Sequence, residues 1–308
     1  MERKTISHLC FALLLSIIIM GISASVIGTL LTVFSLYFFG ITSSDSFING
    51  LMLLATALGL LLLYFSFKQM TKEIFAPRVE AKALPAKELT LVGLSGFGLS
   101  LFFAYLGIGL NSGISYLITG KFTSLSESSI VSNTLENSPL LPTLLYVVII
   151  GPLLEELIFR KTLISKLRPF GYKTSILVSS VLFGAYHLNL EQFFYAAFIG
   201  IIFGAIYYKS NNIVYTYVIH ACFNLSSVFL TQIQPRFPLF AIIFYYGLNL
   251  VGLIIFFVYG YQWIKEKPLE TYYCVSQKDT WGNKGMIIFL LFSLVASIFS
   301  LVSTNFLH

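Results

Sequence analysis

Charge is what this sequence has least of. Only 10% of its 308 residues are Asp, Glu, Lys or Arg, while 57% are hydrophobic and the mean hydropathy is +0.85. That balance excludes an ordinary water-soluble domain, in which about a quarter of residues are charged. Cysteine is scarce as well. Cys10, Cys222 and Cys274 form no C-x-x-C pair, which removes a disulfide framework and a thiolate metal site. There is no H-E-x-x-H helix, so the commonest zinc-protease signature is missing. No repeat of fixed period is present, which excludes a solenoid and offers no support for the paired halves of many transporters. Glu2 stands where myristoylation needs glycine, and the final four residues are not a prenylation box, so no lipid anchor is expected.

What the chain has instead is long apolar runs. A hydrocarbon core of about 30 Å needs roughly 20 apolar residues per helical crossing. Nine runs meet or approach that length, near 8–38, 48–67, 91–119, 141–167, 174–190, 191–208, 212–232, 238–262 and 285–306. The expected fold is therefore all-α: a polytopic membrane protein of eight to nine transmembrane helices in one membrane-embedded domain, 1–308. The first run, Ile6 to Phe39, is too long for the apolar region of a signal peptide. It reads as a first span or signal anchor that tilts, protrudes or breaks near Gly21. The short turn from Leu188 to Glu191 suggests a re-entrant pair between its neighbours.

A net charge of +6 and a pI near 9.1 point to membrane topology here rather than to nucleic acid. Arg3 and Lys4, Lys68 to Lys87, Lys161 to Lys173, Lys209, and Lys265 to Lys284 fall on one side of the expected spans. Lys121 and Arg236 fall on the other. Because Lys and Arg collect on cytoplasmic loops, this predicts a cytoplasmic N-terminus, and the small loops fit a plasma-membrane protein. Thr71 to Thr90 reads as a cytoplasmic connector, and the Ser/Asn-rich Ser124 to Pro139 as an exterior loop. The 30 Phe and 18 Tyr read as lipid-facing surface and interfacial belt.

Against this background a few polar residues stand out, because each ionisable group inside a span costs about 2.5–3.5 kcal/mol on insertion scales. The fourth run contains Glu155, Glu156 and Arg160 within six residues. Glu156 and Arg160 are four apart, on one helix face, so the guanidinium can neutralise that carboxylate, whereas Glu155 points about 100° away. His187 lies in the fifth run, and His220 and Asn224, again four apart, in the seventh. Glu155, His187 and Asn224 come out at about 20 Å from the cytoplasmic ends of their spans at 1.5 Å per residue, and His220 about 6 Å nearer the cytoplasm. Three spans thus bring polar groups to one pocket, opening to the cytoplasm or laterally to lipid. The chemistry available to this set is hydrolysis by an activated water. Glu155 and His187 fit as general base and proton carrier, and His220 with Asn224 as donors to an oxyanion. Cys222 lies on the opposite face from His220 and is no nucleophile for this site.

Glu155-Glu156-x-x-x-Arg160, Phe183-x-x-x-His187 and His220-x-x-x-Asn224 resemble the three signature motifs of the CPBP intramembrane proteases, the CAAX-protease and bacteriocin-processing (Abi) family. The resemblance covers residues 141–232, which it marks as the catalytic core. It implies an all-helical fold with a cavity in the membrane, and peptide-bond hydrolysis by a glutamate-activated water. It also implies that Glu156 with Arg160 supports the site. The implied substrate is a membrane-associated or secreted peptide, with bacteriocin immunity or peptide processing as associated roles. No cofactor is expected; zinc at Glu155, His187 and His220 is the alternative. The lipid bilayer is the expected environment, nucleic acid is not an expected partner, and the oligomeric state is not legible. Two other readings fit the same residues: a non-catalytic immunity or scaffold protein, and a proton-coupled transporter in which the carboxylates and histidines form a relay.

Overall fold

Helix boundaries in this chain are written by proline, glycine and asparagine. In the computed structural model, which describes residues 2–40, 46–120, 138–234, 236–266, 268 and 280–306, nine long helices follow one another. They are α1 (Glu2–Phe39), α2 (Ser46–Met70), α3 (Ala86–Thr119), α4 (Leu140–Phe170), α5 (Tyr172–Tyr186), α6 (Leu190–Ser210), α7 (Ile213–Ile233), α8 (Pro238–Lys265) and α9 (Lys284–Phe306). Pro85 precedes α3, and Pro139 precedes α4. Gly171, at φ 87°, makes the sharp turn between α4 and α5 that a side chain would strain. Asn189 and Asn212 cap α6 and α7 by accepting from the backbone N–H groups of Glu191 and Val214. Most of the exterior loop expected over 124–139, together with Lys121 and Cys274, lies outside the described residues.

The all-α membrane architecture expected from composition is the one observed. Eight of the nine helices are long and apolar enough to cross a bilayer. The ninth, α5, has 15 residues and reaches only about 22 Å at 1.5 Å per residue. The nine runs and the count of eight spans are thus both accounted for. Helix α1 runs unbroken through Gly21 for 38 residues, so its excess length is taken up without a break. The connector expected over Thr71 to Thr90 is shorter than that, because α3 already begins at Ala86. It is tied under the bundle: Lys82 N–H donates to Ser210 O at 2.7 Å, Asn211 Nδ2 to Val79 O at 2.6 Å, and Lys166 Nζ to Thr71 O at 2.6 Å.

Two apolar clusters hold the helices. One joins α1, α2, α4, α5 and α9 through residues such as Leu9, Leu13, Leu63, Phe67, Phe159 and Phe289. The other joins α3, α6 and α8 through Val92, Phe97, Phe203 and Phe256. Helix α4 contributes Ile158, Phe159 and Leu163 to the first and Ile164 to the second, so it stands between them. That placement carries its polar residues into the middle of the molecule. Helices α3 and α8 cross at contact distance, because Gly98 and Gly252 face each other's backbones with no room for a Cβ. We expect Gly98→Leu to lower the midpoint of thermal unfolding in detergent by the equivalent of about 1–3 kcal/mol of overpacking. Gly109→Leu, on the same helix with open space around it, should leave the midpoint in place.

Candidate active site

The site begins with an irregularity in α4. Pro152 sits inside this helix, where it supplies no N–H to the turn before it. The chain accommodates it by widening: residues Leu144–Ile150 are π-helical, and the Gly151 N–H bonds to Tyr146 O, five residues back. In that register the acceptor opposite Pro152, which has no N–H to give, is Val147 O. Asn224 of α7 takes the vacancy, its Nδ2 donating to Val147 O at 2.8 Å. A carbonyl can only accept, so this bond fixes the orientation of the amide and leaves its second N–H for the cavity that Asn224 lines. A second π-helical stretch, Leu157–Ile164, follows directly, so Glu155 and Glu156 end a short α segment held between two widened ones.

Glu156 and Arg160 are both fully buried, and Arg160 Nη1 stands 3.2 Å from Glu156 Oε1, as their spacing predicts. The same oxygen accepts from His220 Nδ1 at 3.0 Å. His220 Nε2, on the other edge of the ring, is 3.6 Å from Glu155 Oε2. One imidazole therefore bridges both carboxylates, a contact that spacing along α4 and α7 did not reveal. The Arg160 guanidinium is covered by aromatic faces, 4.4 Å from the centre of the Phe183 ring and 5.2 Å from that of Phe203. Such contacts compensate a desolvated cation without competing for the carboxylate.

His187 ends α5. Its Nδ1 donates to Phe183 O at 2.8 Å, which leaves Nε2 as the free acceptor of a neutral ring in the same cavity. Leu188, at φ 50°, turns the chain immediately afterwards, a conformation that bulky residues avoid and that surrounding structure must impose. Phe183 is the common neighbour of the set. Its ring lies 5.0 Å from His187, 5.9 Å from His220 and against Arg160, which gives physical content to the first position of Phe183-x-x-x-His187.

Glu155, His187, His220 and Asn224 all line one cavity of about 450 Å³. Its remaining walls include Tyr146, Gln192, Tyr195 and Tyr245, which the sequence did not single out because Tyr and Gln carry no motif. Glu191, at the start of α6, is a further buried carboxylate missed by pattern reading; Asn111 Nδ2 donates to it at 2.8 Å, and the pair joins α3 to α6. Cys222 is exposed and absent from the cavity lining. Among the described residues, no three His, Cys, Asp or Glu side chains are grouped so as to hold a metal ion.

If the buried ion pair is maintained by mutual compensation, Arg160→Met alone should cost about 3–5 kcal/mol by stranding Glu156. The double variant Arg160→Met, Glu156→Gln should recover much of that loss. Thermal unfolding of the single and double variants in detergent measures the coupling, and simple additivity would contradict it.

Residues 137–226 match the family model of the type II CAAX prenyl endopeptidases, Rce1-like. Among curated proteins, one named "Putative membrane peptidase YdiL", from Bacillus subtilis (strain 168), is 27% identical over 146 residues, covering 47% of this chain and 57% of that protein. The chain thus spans little more than half the length of this relative. No solved structure matches. The matched segment contains all three motifs in order, each on a helix that faces the shared cavity, and over this segment the chain is similar to the CAAX-type membrane proteases.

Proposed function

We propose that the chain is an intramembrane endopeptidase that hydrolyses a peptide bond with a water activated by Glu155. The observation that carries this reading is the convergence of Glu155, His187, His220 and Asn224 on one cavity, with Glu156 and Arg160 sealed behind them. Glu155 removes a proton from a water in the cavity as its oxygen bonds to the carbonyl carbon of the substrate. The acceptor Nε2 of His187 holds that water and shares its proton. As the tetrahedral intermediate forms, its oxygen takes on negative charge, and the free N–H of Asn224 donates to it. His220, fixed through Nδ1 by Glu156, adds a second donor when Nε2 carries a proton. The proton then passes to the amide nitrogen, the C–N bond breaks, and the products are a carboxylate and an amine.

In this reading Arg160 acts through Glu156, and Glu156 through His220. They are positioning residues. The mechanism proposed here routes no step through a metal.

Purified protein in detergent tests the proposal with a quenched-fluorescent peptide library. Glu155→Gln should abolish cleavage, and Asn224→Ala should lower kcat by about 10²–10³, the usual cost of one oxyanion donor. Chelation should leave the rate unchanged. Full activity in Glu155→Gln would defeat the glutamate mechanism, and loss on chelation with recovery on added zinc would replace it with a metal-dependent one. A transporter would give proton-coupled uptake in liposomes and no peptide product.

A further inference from the structure

The cavity is not placed symmetrically along the helices. His220 lies about 10 Å from the start of α7 at Ile213, and the cavity walls on that helix continue away from that start, through Asn224 to Ser226 and Ser227, about 20 Å along. On α3 the lining runs from Phe97 to Ala104, away from the helix start at Ala86. On α6 it gathers toward the beginning of the helix, at Gln192, Tyr195, Ala196 and Ile199, and on α4 it includes Tyr146 and Val147, which precede Glu155. All these positions lie toward the same end of the bundle, the end that carries Arg236.

Toward the other end the molecule is closed. Val92, Ile164, Ile202, Phe203 and Ile206 are all fully buried and form one apolar plug. Thr216, one turn before His220 on α7, has no exposed surface, whereas Ser227, two turns beyond, is exposed. Burial on α6 follows the same gradient: it is continuous from 202 to 208 and interrupted from 192 to 195. The closed end is the one that carries Lys68, Lys82, Lys166, Lys173, Lys209 and Lys265. Positive residues mark the cytoplasmic side.

We infer that the cavity opens on the face opposite the lysines, so that its substrate is an extended peptide segment presented from the exterior side of the membrane. This rests on the protease reading above, and it differs from the cytoplasmic or lateral opening that sequence alone suggested. Two sources share this chemistry: a peptide already exported, and the outer half of a membrane-inserted segment. A prenylated cytoplasmic C-terminus would meet the apolar plug.

Cysteine accessibility tests the opening without relying on activity. In the full chain with its three native cysteines replaced by alanine, Ser227→Cys should react with a membrane-impermeant maleimide in intact cells, and Lys68→Cys only in inverted vesicles. Reaction of Ser227→Cys only in inverted vesicles, or from neither side, would overturn the inference. An impermeant quenched peptide that is cleaved in detergent should be cleaved at least tenfold faster by spheroplasts than by inverted vesicles; the reverse ratio would overturn it. Where the soluble peptide is spared but a co-expressed single-span reporter is cut within its outer half, the inserted segment is the source. If Ser227→Cys is labelled in intact cells but no substrate is cleaved even in detergent, the protease reading fails and the position of the mouth stands.

Discussion

The arrangement depends on keeping Glu156 charged in a place where lipid and apolar side chains offer it no solvation. Removing two ions from water costs more than their mutual attraction returns unless further hydrogen bonds complete the pair. Here Arg160 supplies the counter-charge, His220 supplies the hydrogen bond, and Phe183 and Phe203 cover the guanidinium. Each of these partners comes from a different helix, α4, α7, α5 and α6. Charge compensation and helix assembly are consequently the same event, and a bundle that failed to bring all four together would leave an ion unpaired.

The outcome is a division of labour between adjacent residues. Glu156 faces inward and is paired through one oxygen with Arg160 and His220, while Glu155, one position earlier, reaches the cavity and retains an oxygen 3.6 Å from the far side of the same imidazole. His220 thereby links a structural carboxylate to an accessible one. Phe183 plays a comparable role without any charge, since its carbonyl sets the tautomer of His187 and its ring packs against His220 and Arg160.

Much of this was legible in the sequence because lipid makes errors expensive. Apolar run length located the helices, and the cost of ionisable groups within them isolated Glu155, Glu156, Arg160, His187, His220 and Asn224. The i,i+4 pairing of Glu156 with Arg160 followed from helix geometry. Contacts between helices did not follow, because no local spacing says which edge of His220 faces which carboxylate. Nor did the spacing announce that Pro152 would widen α4 or that Asn224 would meet Val147 O. The direction of the cavity was also hidden, since it depends on where apolar side chains such as Ile164 and Phe203 fill space and where they leave it empty. The brevity of α5 was visible only as a shorter apolar run.

The proline in α4 has one more effect, on registration. An α-helix usually slides against its neighbour at little cost in backbone hydrogen bonding, because its own carbonyls are already occupied. At Val147 that independence is reduced: the carbonyl stands opposite the proline and accepts from a side chain on another helix. A shift of α7 by one turn, about 5.4 Å, would strand the carbonyl and the amide at once. The missing N–H of Pro152 thus works as a ratchet stop, giving two helices that present opposite walls of the cavity a single permitted alignment.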